Sequence, residues 1–393
     1  MRKRAGFSAV GLLAGSVAIL TLATAAGTGR AEGDDRRAAP AGNQKPGLES
    51  IRGAVVRALP LLVKASADEY PKHRDCFSCH NQAVPAVALG LARGRGFDVD
   101  EQTLRRIARH TESDLNGAIE DYRKGQGQPG GVIRAGYALW ALEAAGWPRD
   151  ETTASVAHYL TVVQRERDRW PPKANRPPSE SSSFTATALA LRGLQAFGPP
   201  ASSGVRDDQP AAAKTGLALE TVIAQRARAL QWLEQTTPKE TEDRVFRLWG
   251  LKHAGASAKS LAAAAFDLLR TQRPDGGWSQ LDTPAQTAKT KDAKGQAAIA
   301  PAGALASDAY ATGSALVALH LAGGVSADVP PYRRGLEFLI QSQRDDGTWL
   351  IKSRSRPFQT YFESGFPHGP DQFISAAGSG WATAALVLAC PRP

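Results

Sequence analysis

Apolar residues recur along this chain at helical spacing. From about residue 130 onward the pattern Leu-x-(Ala/Gly)-Leu-x-x-x-Gly occurs four times, at Leu139–Gly146, Leu191–Gly198, Leu248–Gly255 and Leu316–Gly323. Leucines three apart turn one helix face inward, and a glycine just past the last periodic residue marks a helix C-terminus. Successive copies lie 52, 57 and 68 residues apart, the length of two helices with their loops, which predicts stacked helical hairpins. The spacing predicts partner helices at Thr153–Gln164, Ser257–Gln272 and Pro331–Gln343. Hairpins are read at 81–94 with 101–121, 131–146 with 151–165, 182–197 with 217–235, 240–255 with 257–272, and 305–322 with 331–343. Two helices, 48–64 and 373–389, are left over at the ends. Pairing them across the termini would close a ring, so the expected fold class is all-α, an α/α toroid of about six hairpins.

The partner helices end in a second pattern. Gln164, Gln272 and Gln343 each stand six residues before a tryptophan, in QRERDRW, QRPDGGW and QRDDGTW. Asp and Gly supply the turn, Gln can bond a frayed helix end, and Trp can cover it, so the motif reads as a helix-end clamp. These segments resemble the QW repeats of the squalene-hopene cyclase and prenyltransferase superfamily, which implies a toroid of inner and outer helices over roughly residues 130–390. The first copy lacks the glycine, and the hairpin around Gln231 and Trp232 has no such ending.

Composition agrees with this reading. The chain has 393 residues, 42% apolar and 22% charged, with 38 Gly, 25 Pro and only 7% aromatic residues. That is enough apolar mass for a large core, and its Ala/Leu character favours helices over strands. At the N-terminus, Arg2, Lys3 and Arg4 precede an uncharged apolar run from about Ala9 to Ala26 with small residues at its end, the pattern of a secretory signal at 1–25. An uncleaved anchor is the alternative. A polar linker is read at 26–47, a cytochrome-c-like attachment segment at 48–125 and the toroid at 126–393. The expected location is the periplasm or another exported compartment. Removing 1–25 lowers the net charge from +10 to +7, spread along the chain, so nucleic acid is not an expected partner. No later apolar run reaches membrane-spanning length.

Cys76, Phe77, Ser78, Cys79 and His80 form C-x-x-C-H, the attachment sequence of c-type haem. Two thiols at this spacing can add to two vinyl groups, with Cys76 and Cys79 carrying one covalent haem c and His80 the proximal iron ligand. A zinc site of Cys76, Cys79, His80 and His73, or a redox disulfide, are the alternatives. The only methionine is Met1, inside the signal, so the sixth ligand is not methionine. It falls to His73, His110, His158, His253, His320 or His368, with His110 and His368 ranked first, or the position stays open.

A closer resemblance follows from CFSCHNQAVPAVALGLARGRGF, RPPSESSSFTATALALRGL, SDAYATGSALVAL and FPHGPDQFISAAGSGWATAAL. Together they resemble exported bacterial proteins that join a cytochrome-c-type motif to squalene-cyclase-like repeats. The resemblance implies a haem-bearing toroid with no fixed reaction. A class II terpene cyclase places a D-x-D-D acid at the start of an inner helix; here Asp308, Ala309, Tyr310 and Ala311 stand there, and a phenol is too weak an acid for the central role. Asp308 and Glu180 remain the candidate acids. Polar residues gather where inner helices begin: Glu180, Ser182 and Thr185; Asp308, Tyr310 and Thr312; His368, Asp371, Gln372 and Ser375. They are either helix caps or the rim of a pocket, with Tyr310, Tyr361, Asp371 and Gln372 as pocket candidates. The loop 354–370, with Phe358, Tyr361, Phe362 and Phe366, would roof that pocket or pack on haem. Three functions are therefore expected in order: electron transfer or redox chemistry on a ligand in the toroid, with a redox partner protein; a non-redox module for a hydrophobic small molecule or partner; and a cyclase.

Overall fold

The computed structural model describes residues 46–199, 219–281, 305–357 and 359–393. The predicted signal and nearly all of the linker lie outside them. The described residues are helical with no strand, only one isolated bridge between Arg176 and Glu180. None of their helices is long and apolar enough to cross a membrane.

The helices alternate between two layers. The inner ones are α3 (Val84–Arg93), α6 (Gly131–Ala144), α8 (Ser183–Phe197), α10 (Thr241–Ala254), α12 (Ala309–Leu321) and α14 (Gln372–Leu388). Each packs on the next, and α14 packs on α3, so this inner layer is a closed ring. The outer ones are α1 (Leu48–Val63), α4 (Glu101–Asn116), α7 (Glu151–Gln164), α9 (Leu219–Gln235), α11 (Ala258–Leu269) and α13 (Pro330–Ser342). Burial follows the layers: nearly every residue of α14 is buried, whereas α11 buries only Ala264, Ala265 and Leu268. A helix buried all round belongs inside, and one with a single apolar stripe belongs on the rim.

The two leftover helices do close the ring, because α1 packs against both α14 and α3. Arg95 also bonds the carbonyls of Leu388 and Cys390, tying α3 to the C-terminus. Residues 48–125, read above as a separate attachment segment, thus supply members of the same ring as 126–393. The helix read at 101–121 is two, since Gly117 ends α4 and α5 (Ile119–Arg123) follows. The helix read at 48–64 runs on through a wide turn, Lys64–Glu69, into α2 (Tyr70–His73). Two of the four motif glycines, Gly146 at φ +71° and Gly255 at φ +78°, adopt the left-handed conformation that favours glycine.

The Gln…Trp segments are clamps, and all three work alike. The indoles of Trp170, Trp278 and Trp349 are buried, and each donates to a carbonyl ten residues earlier, on Leu160, Leu268 and Leu339, at 2.7, 3.0 and 2.8 Å. Their backbone amides donate to hydroxyls of the next inner helix, Thr187, Thr312 and Ser379, at 3.1, 2.9 and 3.0 Å. The glutamine amides reach the next outer helix, at Gln225, Pro331 and Ala54. Each repeat is thereby pinned to both layers of its neighbour.

Candidate functional site

The inner helices run parallel, so their N-termini share one mouth of the ring. Ser182 caps α8 and donates to Asp243 at 2.6 Å; Thr185 donates to Glu242 Oε1 at 3.2 Å, and the Tyr310 hydroxyl donates to the same oxygen at 3.4 Å. Thr185, Glu242 and Tyr310 each stand six residues before the motif leucine of their repeat. Repeat symmetry therefore brings them together.

Cys79 opens the turn Cys79–Ala83 that leads into α3 and packs on α6 and α14. CFSCH consequently sits at this mouth. Cys76 is exposed, Cys79 half-buried, and both are free thiols. Tyr70 lies against Cys76, 3.7 Å from hydroxyl to sulfur. Burial pushes the Cys79 thiol above its usual range, and Glu180 adds to this. The loop entering α8 meets His80: Ser179 Oγ lies 2.8 Å from Nε2, and Glu180 Oε1 lies 3.8 Å from Nδ1. Burial lowers the His80 pKa against the opposing pull of Glu180, which keeps the ring neutral. Glu180 is also paired with Arg176.

The remaining candidates are dispersed. His110 borders CFSCH, but both its nitrogens are occupied: Nε2 faces the Arg74 carbonyl and Nδ1 faces Gln82 Nε2, each at 2.9 Å. His368 bonds Thr348 at 2.9 Å, on the turn of a clamp. His253 stacks on Trp249 at the opposite mouth, where burial lowers its pKa to about 3. Among the described residues, no three His, Cys, Asp or Glu side chains gather as a metal cage, so the zinc set with His73 is not assembled.

Asp308 caps α12, accepting from Ala311 N at 2.9 Å and from Gln280 at 3.0 Å; burial pushes its carboxyl up to about 6. Beside it Pro178, Thr241, Glu242, Gln280, Tyr310, Ala311 and Ser314 line a crevice too narrow to admit a water. Tyr310 is the one pocket candidate that lines it. Tyr361 is exposed and bonded to Glu363, Asp371 holds Lys352 and the Ser353 amide, and Gln372 braces Phe362 and Ser364. Those three shape the 354–370 loop because their polar atoms are spent within it or on its flank. The loop itself splits. Arg354 reaches Glu240 and Gln280, and Ser355 donates to the Pro177 carbonyl. Phe362 packs on Tyr70, His73 and Arg74, just before CFSCH. Phe358 lies outside the described residues.

The sequence reading missed Glu242, because K-E-T-E-D-R resembles a solvated helix start. The signal that could have found it is its repeat register with Thr185 and Tyr310. It also missed what fills the ring. Trp140, Arg192 and Trp249 each follow a motif leucine; Trp140 lies 5.6 Å, centroid to centroid, from both Trp249 and Trp381, and the Arg192 guanidinium lies 4.6 Å from the Trp140 ring. An aromatic plug occupies the axis.

No family model matches the chain. Two structures of the type II terpene cyclase MstE from Scytonema match it with a TM-score of 0.50 at 15% identity, over 88% of this chain and 98% of the cyclase. One is in complex with the product merosterolic acid A and the other with the substrate geranylgeranyl dihydroxybenzoate. A Salmonella enterica protein described as a possible member of the GH105 family matches with a TM-score of 0.44 at 12% identity, over 88% of this chain and 94% of that protein. In sequence, a 121-residue stretch is 22% identical to the replication factor C large subunit of Methanococcus vannielii, and the match spans 31% of this chain and 20% of that protein. Ring and mouth together define an α/α toroid like that of the type II terpene cyclase; at these identities the likeness is one of fold.

Proposed function

We propose that the chain is an exported c-type haem protein whose haem is held at the polar mouth of the toroid, where it exchanges electrons with a partner protein or a bound ligand. The observation that carries this reading is the setting of CFSCH, at the head of an inner helix with its imidazole gripped by another repeat.

The residues suit the group. Cys76 and Cys79 are both available as thiols. His80 is neutral, as an iron ligand must be. The Glu180 carboxylate 3.8 Å from Nδ1 favours the proton on that nitrogen, and Nε2, which lies 2.8 Å from Ser179 Oγ, would then hold the iron. Asn81, the next residue, is wholly buried with both side-chain polar atoms unpaired, which a further group beside His80 would relieve. When bound, haem supplies a one-electron iron centre. Glu180, paired with Arg176, faces His80, while Tyr70 lies against the exposed Cys76. Since His110 and His368 are engaged elsewhere, the reading favours an open or weakly held sixth position.

The test is the visible spectrum and intact mass of protein matured in a haem-attaching periplasm. The expected result is one covalent haem, lost on Cys76→Ala with Cys79→Ala. A haem-free product, or the same haem mass in the double variant, overturns the reading. A non-redox binding module is the second reading, favoured by the buried Glu242 Oε2, which has no partner at the mouth. Cyclisation of a polyprenyl chain is not proposed, because the plug occupies the axis and both Asp308 oxygens are engaged.

A further inference from the structure

We propose that His110 is a positioning residue of the CFSCH turn: its two ring nitrogens hold the chain on either side of Cys76 and Cys79, setting both thiols and His80 in place before haem arrives. The purpose of this splint rests on the reading above, but its contacts belong to the haem-free chain and are testable there.

His110 is a half-buried residue of the outer helix α4. Its Nε2 lies 2.9 Å from the Arg74 carbonyl. A carbonyl can only accept, so Nε2 carries the proton and Nδ1 keeps its lone pair. Nδ1 lies 2.9 Å from the side-chain nitrogen of Gln82, which donates to it. Gln82 is wholly buried, and its side-chain oxygen accepts from the Ser78 backbone amide at 3.1 Å. That bond fixes which end of the Gln82 amide faces His110, so every donor in this line of contacts meets an acceptor. Arg74 stands two residues before Cys76, and Ser78 directly precedes Cys79.

Each nitrogen therefore governs one side of the loop: Nε2 the approach to Cys76, and Nδ1, through Gln82, the turn that carries Cys79 and His80. Without His110 the Gln82 nitrogen keeps only a bond of 3.4 Å to the Ser66 carbonyl. A buried donor so poorly met is costly, and the hold on Ser78 loosens with it. The imidazole also meets Tyr70 edge-on, 6.1 Å between centroids, and Tyr70 lies against Cys76. With both nitrogens spent, the ring could bind iron only by releasing one arm of the splint, which separates this role from that of a sixth ligand.

Cys79 is half-buried and Cys76 exposed, so the rate at which iodoacetamide alkylates Cys79 in the full haem-free chain, mapped by mass spectrometry, reads how firmly the turn is held. His110→Asn keeps an acceptor where Nδ1 stands, and His110→Gln keeps a donor where Nε2 stands. His110→Ala and His110→Gln should speed Cys79 alkylation about five- to tenfold, whereas His110→Asn should stay near the wild-type rate. Loss of packing alone would not give that order, and circular dichroism confirms that each variant folds. In haem-loaded protein, His110→Ala should keep the wild-type ferric spectrum. A wild-type rate in His110→Ala, an asparagine variant as fast as the alanine one, or a ferric spectrum altered by His110→Ala overturns the proposal. A chain that never takes up haem would instead overturn the function proposed above and leave the alkylation order standing.

Discussion

Gln343 Nε2 donates to the Ala54 carbonyl at 2.8 Å, joining residues 289 apart in sequence. The same nitrogen holds Gly347 O at 2.9 Å, and Arg57 bonds the glutamine oxygen. Gln272 repeats the arrangement with Pro331, Gly276 and Arg334. The bond that ties one repeat to the next is therefore also the bond that closes the ring.

Because that closure is a repeat contact, Gln343→Leu should cost about as much as Gln272→Leu, about 1–3 kcal/mol each, read by denaturant unfolding. Gly347→Ala should cost more: Gly347 has φ +84°, and a Cβ would come 2.3 Å from the Arg57 carbonyl. Equal stability of Gly347→Ala and wild type would show that the turn can relax away from α1.

The ring was legible because Leu139, Leu191, Leu248 and Leu316 mark inner helices and Trp170, Trp278 and Trp349 mark the end of outer ones. Its closure was legible as arithmetic, two unpaired helices at 48–64 and 373–389. The mouth was half legible. Capping residues such as Ser182 and Asp308 announce helix starts, but whether Tyr361 or Glu242 turns inward depends on loop course and repeat register, which spacing within one helix does not encode. The plug escaped because Trp140 and Trp249 look like any residues on a buried helix until neighbouring repeats are overlaid.

Asp308 makes stability depend on pH. Its carboxyl is pushed up to about 6 by burial, against about 3.9 in an unfolded chain. Between these values the folded state binds a proton that the unfolded state does not, so stability falls as pH rises from about 4 to 6 and stays lower above. Asp308→Asn keeps the cap and should remove this fall, leaving the variant more stable than wild type at pH 7 by about 2 kcal/mol. Parallel stability–pH curves for the two proteins would refute it.

Glu180 should set the tautomer of His80. Nitrogen-15 spectra of the full chain are expected to show the His80 proton on Nδ1, and Glu180→Gln to shift the population toward Nε2–H. In haem-loaded protein the same variant should raise the reduction potential, since a nearby carboxylate favours the oxidised iron. A protein with haem attached but an unchanged potential would assign Glu180 to Arg176 alone.

Trp140 is the keystone of the axial plug. It stacks on Tyr137 at 7° between planes, touches Trp249 and Trp381, and lies under the Arg192 guanidinium. Those partners come from α6, α8, α10 and α14, so the indole joins four walls of the ring through its centre. Trp140→Ala should cost about 3–5 kcal/mol, because such tightly packed helices close a cavity of that size only in part. The cavity left is lined by the rings of Tyr137, Trp249 and Trp381 and by the Arg192 guanidinium, which makes benzene, able to stack on rings and cation alike, the probe for it. Trp140→Leu leaves a smaller void and should lose less, which keeps the test usable if the alanine variant does not fold. Benzene is expected to raise the melting temperature of Trp140→Ala and leave wild type unchanged. Equal stabilisation of both would show that wild type already has an open apolar interior, and would return a polyprenyl-sized ligand to consideration.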